Sequence, residues 1–279
     1  MSTVEDRVSL IRTESERLVR YFKSLSPEDL KRQSACQAWQ NADVIAHLCQ
    51  AIDRFTGYIE RGVCGDTAPP EGSAPAGEED LTVRMATNAK LTVTYRESLG
   101  DKLVTTFESQ CHRFNQLLAS FGPQDWEKPC YHPAAMISVA RYVDLRLTEM
   151  SVHEWDVRSA IEPQAHLPVE VLPANIDLLP GFIVGRFYHP GSSITEPTRF
   201  RFALTGTVQG SYDIVVGEGK ARMEPSGSAA GSNEADATFE CDAEAFVLLV
   251  YGRVSLDEAL SNGRVSTDGD RDLVANFGT

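Results

Sequence analysis

The sequence predicts an α+β protein of two domains: a bundle of four helices over residues 1–164 and, over 165–279, helices packed with a mostly antiparallel sheet. Three observations predict it. A chain of 279 residues with 42% hydrophobic content is long enough for two cores of ordinary size. Apolar residues recur at helical spacing from Val4 to about Ile161. After "EPQAHLPVEVLP" the apolar period falls to two.

The first helix spans roughly Val4 to Leu25, and "SPED" after it offers a cap with a proline at a first helical position. The second opens at Asn41 or Asp43, whose short polar side chains satisfy free backbone N–H groups. It carries the apolar stripe Val44, Leu48, Ile52, Phe55 and Ile59, and stops at "RGVCGD". "GDTAPPEGSAPAGEED" is too polar and too broken by Gly and Pro for regular structure, so it reads as a surface loop whose length suits a lid. A long third helix follows to about Phe121, with a kink expected at Gly100, and "GPQDWEKPCYHP" leads into a fourth, roughly Ser138 to Ile161. In the second half a helix from Pro173 to Tyr188 precedes "TRFRFALTG", "SYDIVVGEG", "KARMEPSG" and "ADATFECD". These alternate apolar and polar residues around Gly-bearing turns, as half-buried antiparallel strands do. "AEAFVLLVYGR", "SLDEALSNG" and "DRDLVANFG" read as short helices around one further strand, "RVSTDG".

A net charge of −14 repels phosphates, and no Lys/Arg-rich run counters it, so nucleic acid and acidic membranes are not expected as partners. The N-terminus mixes acids and bases through an amphipathic pattern, with no signal-like apolar core, and a cytoplasmic protein is expected. Six cysteines lie scattered without a C-x-x-C pair, which suits reduced thiols used for packing.

On the fourth helix Ala140, Val143, Leu147, Met150, Val157 and Ile161 form the core stripe. Beside it Tyr142, Arg146, Glu149 and His153 follow at spacings of four, three and four, which puts them on one polar shoulder. On the second helix His47 sits one position before Leu48 and so also lies on a shoulder. Two readings stand on spacing alone. Glu149 and His153 form a solvated pair and His47 packs, or the three converge as two imidazoles and a carboxylate around one cation. The second set suits zinc with an open position, and also iron(II), nickel or manganese. Asp156 could then orient His153. His112, His132, His166 and His189 have no such spacing and read as surface or capping residues.

"WQNADVIAHL", followed about a hundred residues later by "TEMSVHEWDV", resembles the metal-binding helical bundle of the DinB-like superfamily, in its branch typified by mycothiol-dependent maleylpyruvate isomerase. The matching positions are Trp39, Asp43, His47, Glu149 and His153. "LLVYGR" and a later "GD" are similar to the closing segment of that branch's sterol-carrier-like C-terminal domain. The resemblance implies His47, Glu149 and His153 as ligands of a divalent metal, zinc above all, and a low-molecular-weight thiol such as mycothiol as cosubstrate. It implies that Arg253 reaches the cleft between the domains and clamps a substrate carboxylate; an ion pair or helix cap is the other reading of Arg253. Tyr142 and Arg146 share the ligand shoulder and are candidates for a supporting or substrate role, or for plain solvent-facing positions. The activity expected is that of an isomerase or S-transferase on a small electrophile. A hydrolase or lyase on the same site, and a non-enzymatic binder with a structural metal, are the alternatives.

Overall fold

A computed structural model describes residues 3–78, 81–184, 196–217, 220–228, 234–275 and 277. The chain divides into two compact units, Met1–Ala165 and His166–Thr279. No described helix is long and apolar enough to cross a membrane.

The first unit opens with α1 (Val4–Ser24), whose N-cap Thr3 accepts from the Asp6 N–H while Asp6 accepts from the Thr3 N–H. A short α2 (Pro27–Lys31) repeats that box with Ser26 and Asp29. α3 (Asn41–Val63) starts at Asn41, with Gln40 and not Asn41 as its N-cap residue, and Asp43 reaches back to accept from the Gln40 N–H at 3.0 Å. The expected apolar stripe of this helix, Val44 through Ile59, is buried throughout. Near its end Gly62 leaves room for the crossing chain, since a side chain there would meet the Pro129 carbonyl at 2.8 Å.

The expected long third helix is two. α4 (Leu81–Leu99) ends where Gly100 takes a φ of +50°, a 3₁₀ turn covers Gly100–Lys102, and α5 (Leu103–Ala119) continues. The break changes partners. α5 joins α1, α3 and α6 (Val139–Arg158) in a four-helix bundle, while α4 packs against α3 and holds it through Thr92 to Gln50 at 2.8 Å and Arg96 to Asp43 at 2.9 Å. The bundle core is Ile11, Leu18, Phe22, Leu48, Ile52, Phe107, Phe114, Val143 and Leu147. Between α5 and α6 two short strands, β1 (Pro129–Cys130) and β2 (Ile137–Ser138), pair antiparallel, and Ser138 caps α6 by accepting from the Arg141 N–H.

The second unit begins with a 3₁₀ turn and α7 (Leu172–Leu178), then widens to π-helical turns over Leu179–Val184. Pro180 lies in that stretch and has no N–H for an α-helical bond, which accounts for the change of pitch. The far end of the expected helix, Tyr188, and His189 lie outside the described residues. β3 (Thr198–Thr205), β4 (Gly210–Gly217), β5 (Lys220–Pro225), β6 (Ala237–Asp242) and β7 (Val265–Gly269) form one sheet in the order β5-β4-β3-β6-β7. Every neighbouring pair is antiparallel except β3 and β6, which run parallel, Phe202 opposite Phe239. On one face Phe200, Phe202, Phe239 and Phe277 pack together beneath α8 (Ala243–Val250), whose Phe246 ring lies 4.6 Å from Phe202. On the strands' polar positions Arg199 and Arg201 converge on a fully buried Asp213. α9 (Leu256–Ser261) and α10 (Arg271–Ala275) complete the unit.

Candidate metal centre

α3 and α6 are antiparallel neighbours: His47 meets Glu149 near one end, and Phe55 meets Tyr142 towards the other, with ring centres 5.2 Å apart. His47 Nε2 lies 3.1 Å from Glu149 Oε2, and His153 Nε2 lies 3.6 Å from the same oxygen. The two imidazoles face edge to face, centres 4.7 Å apart. One donor atom from each of the three residues lies within 4.8 Å of the others. Donors held about 2.0–2.2 Å from one tetrahedral centre stand roughly 3.3–3.6 Å apart, so this set fits a single divalent ion with small side-chain adjustments.

The surroundings orient the donors. Asp156, fully buried one turn beyond His153, takes its Nδ1 at 2.8 Å, which leaves Nε2 for the site. The Cys36 thiol donates to the same Asp156 oxygen at 3.0 Å. Cys36 comes from a tight turn that Gln33 fastens by donating to the carbonyls of Cys36 and Trp39. That turn also sets the Trp39 ring 4.8 Å from His47, and its indole N–H donates to the Ala89 carbonyl of α4 at 3.3 Å. His47 Nδ1 is buried with no hydrogen-bond partner among the described residues.

The electrostatics suit a cation. Burial pulls His47 below its ordinary value. Burial alone would raise Glu149, but the hydrogen bond from His47 and the charges of His47, His153 and Arg54 hold it down to about 2. Burial would lower His153, yet the hydrogen bonds to Asp156 and Cys36 and the charge of Glu149 push it up to about 10. A divalent ion held at this point would take the place of a proton on His153.

The other expected residues fall elsewhere. Tyr142 is fully buried, its hydroxyl donating to the Tyr131 carbonyl, and burial raises it far above the usual phenol value. Arg146 is also fully buried: Nη2 donates to Cys111 Sγ at 3.5 Å, the guanidinium lies over Phe107, and Nε and Nη1 have no hydrogen-bond partner among the described residues. Neither faces solvent, so the polar shoulder of the fourth helix is interior along its first half. Asp43 caps α3 and pairs with Arg96. Arg253 lies in the second unit, donating to the Tyr251 carbonyl at 3.0 Å. His132 accepts from the Ala134 N–H, and His166 pairs with Glu244. Sequence reasoning missed Cys36; its signal was only its nearness to Trp39 in the turn before the second helix.

Family models match most of the chain: residues 11–158 match the mycothiol maleylpyruvate isomerase N-terminal domain, and residues 172–276 the MDMPI C-terminal domain. Among solved structures the chain resembles the mycothiol-dependent maleylpyruvate isomerase at 14% identity, covering 96% of this chain and 93% of that one with a TM-score of 0.64. A histidine-to-alanine mutant of that enzyme matches at 13% identity with the same coverage and a TM-score of 0.62. At such identity the likeness is one of fold. No curated protein matches by sequence.

Proposed function

The chain belongs to the mycothiol maleylpyruvate isomerase family, an enzyme family, and on that premise we propose that it is a metal-dependent isomerase working through a low-molecular-weight thiol. The observation that carries the reading is the convergence of His47, Glu149 and His153 from two helices, with Asp156 fixing one imidazole. Zinc suits this donor set best; nickel, iron(II) and manganese are also compatible. An ion held there by His47, Glu149 and His153 would supply Lewis acidity that lowers the pKa of an incoming thiol. His47 and His153 offer Nε2 and Glu149 an oxygen, Asp156 keeps the His153 proton on Nδ1, and Trp39 shields the His47 side of the site. The thiol, its proton lost, adds as thiolate to one carbon of a cis double bond conjugated to a carbonyl, and the π electrons pass to the carbonyl oxygen as an enolate until they return to expel the thiolate. The carbon–carbon bond, now single, rotates, and expulsion of the thiol restores the double bond as trans.

The thiol comes from outside the chain. Burial pushes up Cys49, Cys111, Cys130 and Cys241, which makes each a poor nucleophile. Arg253 we propose as a carboxylate contact, because a guanidinium fork matches that group; Arg253→Lys then weakens substrate binding with metal content intact, and unchanged kinetics return it to a structural role. Tyr142 and Arg146 support the site only through packing in this reading.

The test is turnover of maleylpyruvate by purified protein of measured metal content, with mycothiol, glutathione or no thiol. Activity that needs both metal and one thiol supports the reading. Turnover without thiol points to a hydrolase or lyase. A large fall in melting temperature on chelation, with no activity under any condition, points to a binder with a structural metal.

A further inference from the structure

One oxygen of Asp156 meets two donors. The Cys36 thiol donates to Oδ2 at 3.0 Å, and His153 Nδ1 lies 2.8 Å from the same atom. Cys36 Sγ and His153 Nδ1 stand 4.0 Å apart, so thiol, imidazole and carboxylate close a triangle behind the His153 ring. The backbone holds its corners. The Ala35 N–H donates to the Asp156 carbonyl at 3.0 Å, which ties the turn carrying Cys36 to α6. The buried Ser34 hydroxyl accepts from the Cys36 N–H at 3.2 Å and donates to the Trp39 carbonyl at 2.7 Å, which closes that turn. Asp156 is fully buried and Cys36 half-buried, so the triangle is reached from solvent on its Cys36 side.

A thiolate, an imidazole nitrogen and a carboxylate oxygen together make a ligand set for zinc or cadmium. Around one tetrahedral ion, a sulfur at about 2.3 Å and nitrogen and oxygen at about 2.0–2.2 Å stand roughly 3.3–3.6 Å apart. The three separations found here, from 2.8 to 4.0 Å, bracket that span. We infer that Cys36, His153 and Asp156 form a second cation position, for a thiophilic divalent ion, back to back with the first. The two positions share the His153 ring through its two nitrogens: Nε2 faces Glu149 and Nδ1 faces Asp156. An ion entering here takes the places of the thiol proton and the Nδ1 proton, and both pass to solvent. Thiolate and carboxylate cancel its charge, so it adds no net repulsion to an ion at the first position. Two hydrogen bonds break and two protons leave, so this position fills after the first, from added ion. The inference needs neither His47 nor Glu149 and does not rest on the proposed function.

The experiment is a titration of the whole chain with cadmium chloride, followed by the thiolate-to-cadmium absorption in the near ultraviolet. The first position has no sulfur ligand and is silent there. A saturable band is expected in the unchanged chain, in Cys64→Ser, which removes the exposed thiol, and in His47→Ala, which takes a ligand from the first position alone. The band is expected to vanish in Cys36→Ser and to need about tenfold more cadmium, or beyond, in His153→Ala and Asp156→Asn. A second measurement needs no variant: cadmium should shield Cys36 of the unchanged chain from alkylation by iodoacetamide, read by peptide mass spectrometry, with Cys64 alkylated as before. A band that survives in Cys36→Ser overturns the inference. So does equal cadmium affinity in His153→Ala, the mark of a thiol acting alone, or a Cys36 alkylated as fast with cadmium as without. A band kept in His47→Ala reads the same whether or not the first position carries metal, so the two readings fail separately.

Discussion

Two halves of one helix face part company in α6. Tyr142 and Arg146 in the first half, and Glu149 and His153 in the second, continue a single polar stripe, yet the first pair is sealed in the core and the second opens onto a cluster of donors. The difference lies in what stands opposite. Facing Arg146 are Cys111 and Phe107 of α5, which offer a weak acceptor and a ring. Facing Glu149 is His47 of α3, and behind His153 stands Asp156. A polar stripe is therefore no functional unit; each member takes its role from its partner.

The largest expected effect tests the site half. His47→Ala, Glu149→Gln or His153→Ala each lose the bound metal and lower activity by more than the ~10–100-fold that loss of an orienting residue costs; metal analysis on purified variants and steady-state rates check this. Retention of full metal by all three would erase the contrast between the halves. Next is Asp156→Asn, which keeps the shape but deprives His153 Nδ1–H of a charged acceptor, with metal affinity expected to fall ~10–100-fold and the fold kept. Competition with a chelator of known affinity reads it.

A buried charge with partners offers a third comparison. Burial would raise Asp213, but Arg201, Ser226 and Arg199 hydrogen-bond it and hold it down to about 2, against an ordinary 3.8. Since the folded value is the lower, its contribution is complete above the ordinary value and is lost as pH falls through the folded one. Asp213→Asn should thus cost roughly 2 kcal/mol at neutral pH, with the cost fading between about pH 4 and 2. Urea melts at several pH values measure it. Arg146 is the opposite case, a buried cation with two nitrogens that have no hydrogen-bond partner among the described residues. Arg146→Met is expected to leave stability unchanged or raise it by about 1 kcal/mol, with metal content unaffected. Lost metal or lost activity at native stability would move Arg146 from the core into the site. The smallest effect is that of Cys36→Ser, which keeps a donor to Asp156 and should change metal affinity only a few-fold, read in the same chelator competition.

Much of the frame was legible in sequence. The period of the apolar residues outlined α1, α3 and α6 to within a few residues, because a helix that buries one face must repeat it. Strand alternation likewise outlined β3 to β6, though not that β3 and β6 run parallel, a matter of chain path between them. Gly100 marked a kink, but that α4 leaves the bundle to cover α3 depends on side chains across the break.

By itself the sequence determined the local items: Glu149 and His153 one turn apart, His47 beside its helix's core stripe, and a Trp, Asp and His run matching a known bundle. The tertiary structure alone decided that His47 meets Glu149 across 102 positions of chain, that Cys36 and Asp156 back His153, and that Arg146 is interior. The reason is physical. Spacing along a helix fixes direction through a constant turn of backbone, whereas the chemistry of a polar side chain is set by the desolvation and partners it meets when another element packs against it.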